Sequence, residues 1–312
     1  PTGDDDGTVG RKGGLAIGDG TAISLNYIRE QGRAQKLGEH LIAIVAEGPK
    51  GRIYISPNEV HEEALNVELP SNVPMGDLPK NPRDFKTPNY GMSKWTDLFT
   101  NRQLVALTTL SDLVGEAREK VLADALAAGM PEGERLEKGD TGAAAYADAV
   151  ATYLALAVSR QTDRLSSLAS WQSIGEKVRN VFARQAIPMV WDYAEANPFS
   201  HSSGNFLGQV EWVSKAVEHA PASIASRADQ VSASARNYEG LVVSTDPPYY
   251  DNIGYSDLSD YFYVWLRRCL KNIHPGVVGT MLTPKTDELV ANPYRHNGKK
   301  GAQKFFVEGF NS

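Results

Sequence analysis

Residues 241–250 read LVVSTDPPYY, an apolar run that ends abruptly in a carboxylate, two prolines and an aromatic ring. A short run of apolar and β-branched residues predicts a buried strand. Two consecutive prolines lack amide donors and force extended backbone, so we expect the strand to stop at Asp246. Open α/β sheets bind their ligands at the carboxyl ends of strands. The stretch therefore predicts a stiff, ligand-binding loop at the end of a strand.

This loop offers two hydrogen-bond acceptors beside a flat ring. The Asp246 carboxylate and the Pro247 carbonyl are both acceptors, and Tyr249 presents an aromatic face close by. Such a combination suits an exocyclic amino group on a planar ring. The alternative interpretation is an ordinary turn, because Asp and Pro are common turn residues.

The tetrapeptide Asp246-Pro247-Pro248-Tyr249 resembles the catalytic motif of amino-methyltransferases that use S-adenosylmethionine, especially those that methylate adenine N6 in DNA. The longer stretch 244–268 resembles the large adenine-specific DNA methylases described as containing a Zn-ribbon domain. Further segments similar to that family are residues 90–92, 97–107, 191–199, 282–285 and 293–296. The resemblance spans most of the chain, so the signal is stronger than the tetrapeptide alone.

The fold implied by this resemblance is α/β: part of a Rossmann-like methyltransferase sheet with a helical insertion and a small N-terminal α+β region. We expect its parallel strands to include residues 241–245 and 277–282, joined by an intervening helix. Three regions follow from this division: residues 1–90, an α+β region with a degenerate zinc-ribbon position and a linker; 91–220, a helical region; and 221–312, the C-terminally truncated catalytic-motif part.

The resemblance also implies roles for the motif residues, of which the catalytic set is Asp246, Pro247, Pro248 and Tyr249. Asp246 and the Pro247 carbonyl would accept the hydrogens of N6, while Tyr249 stacks on the extruded base. Asp246 and Pro247 are also weak candidates for a contact with the cofactor. The candidate substrate-binding residues are Tyr250, Asn252, Lys285, Arg295, His296, Lys299 and Lys300.

The net charge of −6 is unfavourable for a protein that binds DNA, since phosphates attract cations. The densest cationic stretch follows the motif by about fifty residues, at Arg295, His296, Lys299, Lys300 and Lys304, with Lys285 just before it. Two glycines interrupt this run, so we expect a basic loop rather than a helix face. We predict that this loop contacts phosphates; a solvated surface loop is the alternative.

The expected cofactor is S-adenosylmethionine, yet no Phe-x-Gly-x-Gly turn follows a strand, and residues 202–208 contain two glycines without a preceding strand. We therefore interpret the chain as a fragment of a longer polypeptide that carries the cofactor motif, and we expect methyl transfer from that polypeptide rather than from this chain alone. Cys269 is the single cysteine and cannot build a zinc ribbon, so we expect no metal. The open alternatives are an RNA or cytosine-N4 methyltransferase and an inactive nucleic-acid-binding fragment.

The remaining patterns predict local structure and setting. Thr100 and Gln103 have capping-box spacing ahead of a helix, and a second, alanine-rich helix is expected over residues 143–168. A third helix is expected through Val178, and a hairpin around residues 47–51. The sequence contains no apolar run of about 18 residues, which is the length that would predict a membrane span. With no secretory signal pattern and a lone cysteine, we expect a cytoplasmic protein.

Overall fold

The computed structural model describes residues 9–10, 12–220, 231–246, 249–251 and 253–311; Pro247, Pro248 and Asn252 lie outside these ranges. The chain is mixed α/β, with small antiparallel sheets and helices. It forms two compact units. The first comprises Pro1–Leu78, Pro82–Ala106 and Asp163–Ala196, and the second comprises Pro79–Asn81, Leu107–Thr162 and Asn197–Ser312.

The first unit contains the small sheets. Its elements are β1 (Val9–Gly10), β2 (Gly13–Leu15), β3 (Ala22–Ser24), α1 (Leu25–Arg33), β4 (Ile44–Gly48), β5 (Gly51–Ile55), α2 (Glu59–Glu63), β6 (Ser170–Gln172) and β7 (Lys177–Arg179). Strands β1, β2 and β3 form one antiparallel sheet, while β4 pairs with β5 and β6 with β7. Ile44 lies opposite Ile55 in the β4–β5 pair, which confirms the predicted hairpin.

The predicted third helix through Val178 is wrong, because this segment is strand β7. Glu176 has a φ of 43° and reverses the chain between β6 and β7. Val178 is buried with Ala169 and Ala196, while its neighbours Lys177 and Arg179 are exposed. This alternation has the period of a strand, and the apolar spacing that suggested a helix was too short to distinguish the two.

Helix α3 (Asn101–Ala127) starts at the predicted capping box. The Thr100 amide donates to Gln103 Oε1 at 2.9 Å, and the Gln103 amide donates to Thr100 Oγ1 at 3.2 Å. Both bonds satisfy amides that have no partner inside the first helical turn. The local sequence therefore specifies where this helix begins.

The second unit has a helical core formed by α3, α4 (Ala143–Thr162) and α6 (Tyr255–Leu270), with α5 (Phe206–His219) also packed on α4. Small residues on α4 allow its neighbours to approach closely, as predicted: Ala151, Ala155 and Val158 are fully buried. They belong to one cluster with Leu110 of α3 and Tyr263 of α6, among others. The alanine-rich helix ends at Thr162, earlier than expected.

A buried carboxylate links α4 to its surroundings. Asp148 is fully buried and lies 2.6 Å from Arg118 Nε and 2.6 Å from Arg135 Nε. The Leu136 amide also donates to it, at 3.2 Å. Burial alone would raise the pKa of Asp148, but the hydrogen bonds from Arg135 and Arg118 outweigh burial and the pKa is lowered. The carboxylate is therefore held in its charged form inside the unit.

Both predicted parallel strands are absent from the described residues. Residues 241–246 have no regular secondary structure, and Leu241, Val242 and Val243 are exposed. Residues 277–282 contain the end of a short helix, α7 (Pro275–Val278), followed by bends and turns. A strand gains its backbone hydrogen bonds only from neighbouring strands, and the described part of this unit provides none. Apolar composition alone was therefore insufficient to predict a strand in either segment.

The predicted basic loop is confirmed only in its first part: Arg295 and His296 lie in turns, whereas Lys299 begins helix α8 (Lys299–Phe310). Gly298 precedes the helix with a φ of 92°, which suits glycine. Gly301 lies inside the helix, where an added Cβ would lie 1.9 Å from the His296 carbonyl oxygen. This glycine permits a close backbone approach and does not interrupt the helix.

Candidate functional site

The two described catalytic candidates, Asp246 and Tyr249, are exposed and contact each other. Tyr249 Oη donates a hydrogen bond to Asp246 Oδ1 at 2.6 Å. This bond raises the pKa of Tyr249, since it stabilises the protonated phenol beside a negative charge. No described residue donates to Asp246 Oδ2. The carboxylate therefore keeps an oxygen that can accept a hydrogen bond from a ligand.

Tyr250 connects this loop to two later parts of the chain. Its carbonyl accepts a hydrogen bond from the Ala291 amide at 2.9 Å. Its ring meets Phe306 of α8 edge to face, with centroids 5.0 Å apart and planes at 84°. Its φ of 57° lies in the left-handed region, which is unfavourable for an aromatic residue. The surrounding contacts hold the backbone in a conformation that the residue alone would not favour.

Helix α6 begins five residues after Tyr250 and places two acidic residues in the interior. Asp257 and Asp260 are three positions apart, so they lie on one helix face. Lys285 Nζ lies 2.5 Å from Asp260 Oδ2, and the Thr283 amide and hydroxyl donate to Oδ1 at 2.8 and 2.7 Å. Arg295 Nη2 lies 2.8 Å from Asp257 Oδ1. Buried carboxylates require such partners, because isolated charges are costly to desolvate.

A third carboxylate, Glu288, completes this arrangement. It accepts hydrogen bonds from the Ser256 amide at 2.9 Å and from Arg295 Nη1 at 2.7 Å. Burial raises the pKa of Asp257, and the positive charge of Arg295 opposes that rise. Arg295 thus bridges two carboxylates on different segments. We call this set the α6 ion network; it consists of Ser256, Asp257, Asp260, Thr283, Lys285, Glu288 and Arg295.

Two of the cations expected to contact phosphates are therefore occupied by carboxylates. Lys285 and Arg295 are partly buried in the α6 ion network. His296 stacks on Phe305, with centroids 4.0 Å apart and planes at 16°, and burial together with Arg295 lowers its pKa. Lys299 and Lys300 differ from these, since both are exposed and neither pairs with a carboxylate in the described part of the chain.

Sequence reasoning missed the acidic members of the network and Phe306. A usable signal was present: Asp257 and Asp260 share a face with the apolar Leu258 and Tyr261 region of α6, and buried acids need cationic partners. The cations that pair with these acids, Lys285 and Arg295, both follow the helix in sequence. The assignment of these two cations to phosphates overlooked the buried carboxylates that they neutralise.

The described residues do not fit S-adenosylmethionine. None of their strands leads through a glycine-rich turn into a helix, which is the arrangement that the resemblance implies for this cofactor. Over the same ranges, no group of three or more His, Cys, Asp or Glu side chains could hold a metal ion. No helix in those ranges has both the length and the apolar character needed to cross a bilayer.

Comparisons with known proteins found no match to a family model, to a curated protein or to a solved structure.

Proposed function

We propose that this chain carries the target-base site of an enzyme that methylates the N6 amino group of adenine in DNA. The supporting observation is that the motif loop and the two segments after α6 are held together. Tyr250 is tied to Ala291, and the α6 ion network joins Lys285 and Arg295 to the helix that follows the motif. Three segments singled out by the family resemblance are thus joined by hydrogen bonds and ion pairs next to the loop.

Each motif residue has a proposed role in binding the target. The adenine amine is a poor nucleophile, since its lone pair is delocalised into the ring. Asp246 and the Pro247 carbonyl accept its hydrogens and stabilise the positive charge that develops on nitrogen. Tyr249 stacks on the base after extrusion from the duplex. The Tyr249 hydroxyl releases Asp246 Oδ1 when the amine binds; Oδ2 is already accessible.

The methyl donor is S-adenosylmethionine, and we propose that its site lies in the remainder of a longer polypeptide. The same part would supply strands on either side of residues 241–245, which would then belong to a Rossmann-like sheet. Support comes from the exposure of Leu241, Val242 and Val243, because three consecutive apolar side chains favour burial. We also propose a cytoplasmic location for the enzyme.

The test is methyl transfer by the longer polypeptide with Asp246→Ala. We expect activity to fall at least about a hundredfold, as when one charge-stabilising partner is removed from an active site. Asp287→Ala is the matched control, since Asp287 is an exposed carboxylate outside the loop. Activity that survives Asp246→Ala would contradict the proposal. Digesting the product to nucleosides distinguishes N6-methyladenine from N4-methylcytosine, and DNA from RNA.

One observation favours a second candidate, an inactive nucleic-acid-binding fragment. The described residues contain neither the expected sheet nor a cofactor turn. Methyl transfer by the longer polypeptide separates the candidates, because both of them leave this chain alone without a cofactor site. Methyl transfer by the longer polypeptide that is lost with Asp246→Ala would exclude the inactive fragment. Nucleic-acid binding without cofactor binding, and without methyl transfer by the longer polypeptide, would support it.

A further inference from the structure

Four tyrosines around the motif loop are each about half exposed. They are Tyr249 (54%), Tyr250 (44%), Tyr255 (49%) and Tyr294 (50%). Tyr249 has a proposed role with the target base, and Tyr250 is predicted from the sequence to bind the substrate; Tyr255 and Tyr294 have no such role. Large aromatic side chains are stabilised when another molecule covers them, so a group of exposed rings indicates a binding surface.

The contacts described above join the segments that carry these rings. Arg295 Nη2 donates to Ser256 Oγ at 2.9 Å, and these two residues are the immediate chain neighbours of Tyr294 and Tyr255. The Tyr294 amide is fixed by Asn292 Oδ1 at 2.9 Å. The α6 ion network therefore holds Tyr255 and Tyr294 on adjacent segments.

The other two tyrosines lie on the motif loop. Tyr249 precedes Tyr255, the first residue of α6, by six residues, and Tyr255 adds to the raised pKa of Tyr249 after the larger effect of Asp246. Tyr250 is attached through its carbonyl to Ala291, three residues before Tyr294. The four tyrosines thus lie on the motif loop, at the first residue of α6 and on the segment that Arg295 ties to α6. We call this group the tyrosine surface.

Exposed cations accompany the tyrosine surface. Tyr250 packs on Phe306, and Lys299 lies seven residues before Phe306, which is two turns along the same face of α8. Those two turns correspond to roughly 10 Å. Lys299 and Lys300 carry no partner carboxylate within the described ranges. Rings and unpaired cations in this proximity match the bases and phosphates of a flexible strand.

We propose that the tyrosine surface binds single-stranded DNA, so that unpaired bases next to the target stack on Tyr250, Tyr255 and Tyr294. This inference deepens the proposed function and rests on it for the position of the target base. Intact duplex keeps its bases stacked on one another, so it offers no ring faces to the surface. Lys299 and Lys300 neutralise phosphates of the same strand.

The first measurement is fluorescence anisotropy of this chain with labelled DNA of about ten nucleotides, comparable to the site of one single-strand-binding module. We expect the single strand to bind at least about tenfold tighter than its duplex, since only the single strand can stack. Single-stranded RNA of the same sequence forms a third arm. Tighter binding of duplex or RNA, or no binding of any of them, would overturn the proposal.

The second measurement uses Tyr255→Leu and Tyr294→Leu, which remove the ring and keep an apolar side chain. Each lost stack should weaken single-strand binding about five- to a hundredfold. Tyr153→Leu is the matched control, because Tyr153 on α4 is exposed to a similar degree, 44%. Circular dichroism verifies the fold of all three variants. Unchanged binding by both surface variants would overturn the proposal.

The two proposals can fail separately. If single-strand binding depends on Tyr255 and Tyr294 while the longer polypeptide transfers no methyl group, the tyrosine surface stands and the proposed function falls. If methyl transfer to duplex proceeds and neither variant weakens binding, only the tyrosine surface is excluded.

Discussion

Helix α4 and residues 241–245 are both apolar, yet they have opposite environments. Ala151, Ala155 and Val158 of α4 are fully buried, whereas Leu241, Val242 and Val243 are exposed. A helix satisfies its backbone hydrogen bonds within itself and needs neighbours only to cover one face. A strand needs neighbours for its backbone bonds as well. Local sequence was therefore sufficient to predict the structure of the helical core, but it was insufficient to predict the structure of the segment before the motif.

The strongest way to disturb the helical side of this comparison is Asp148→Ala. Removing the carboxylate takes away the buried partner of Arg118 and leaves it only the exposed Glu119, so we expect a loss of about 3–5 kcal/mol in the free energy of unfolding. Urea denaturation followed by circular dichroism measures it. Asp124→Ala is the control, since its ion pair with Lys120 is exposed and should change stability by less than about 0.5 kcal/mol. Equal losses in the two variants would contradict the expectation.

The same carboxylate should make the stability of the helical core depend on pH. The folded-state pKa of Asp148 is lowered, so its stabilising contribution is present above the unfolded-state pKa, about 3.9, and is lost as the pH falls through the folded-state pKa. Denaturation midpoints of the wild type should therefore fall on acidification below about pH 5. Asp148→Ala should fall less steeply, and parallel pH profiles would refute this assignment.

A smaller effect is expected from Asp260→Ala, which tests the support beneath the motif loop. It removes the partner of Lys285 and the acceptor of the Thr283 amide, at a cost of about 3 kcal/mol. Asp246→Ala should leave stability within about 0.5 kcal/mol of wild type, because that carboxylate is exposed. Thermal melts compare the two variants. A large loss in Asp246→Ala would show that the loop itself supports the fold.

The direct comparison of the two apolar regions is Val158→Ala against Val242→Ala. Val158 is buried between helices, so removing two methyl groups should cost about 2 kcal/mol. Val242 is fully exposed, and its truncation should change stability by less than about 0.5 kcal/mol. Guanidinium denaturation curves recorded side by side give both values. A comparable cost at Val242 would indicate that residues 241–245 are covered in solution.

The smallest effect concerns the local signal that starts α3. Thr100→Ala removes the hydroxyl that accepts from the Gln103 amide and should cost about 1 kcal/mol. Thr100→Ser keeps the oxygen and should retain most of that stability. Thermal melts of both variants measure the loss of stability. An equal loss in both would assign the effect to the methyl group of Thr100.

Sequence patterns were most informative where the stabilising contacts were close in sequence. The capping box at Thr100 and Gln103, the alanines of α4 and the β4–β5 hairpin could all be predicted, because each depends on neighbours a few residues away. The strands predicted at 241–245 and 277–282 are absent from the described residues, because apolar residues favour burial without identifying a partner strand.

The candidate site shows the same division. The motif loop was recognisable from consecutive residues, and the structure places Asp246 beside Tyr249. The bonds from Lys285 to Asp260 and from Arg295 to Asp257 span longer stretches of chain and were not foreseen. Their carboxylates could be inferred only by asking which charges lie inside the fold. If the buried acids had been paired with cations first, Lys285 and Arg295 would have been assigned to these carboxylates and not to a ligand.

The left-handed backbone of Tyr250 has a consequence for how the motif loop opens. An aromatic residue at a φ of 57° is destabilised by about 1–3 kcal/mol relative to the common backbone regions. Release of the Tyr250 carbonyl from the Ala291 amide would relieve that cost, so the loop should open locally at a much lower free energy than the whole unit. Hydrogen–deuterium exchange reports this directly, because the Ala291 amide becomes accessible to solvent in each opening event. Its exchange should be far faster than that of amides in α4, and Tyr250→Gly, which removes the strain from the closed state, should slow it.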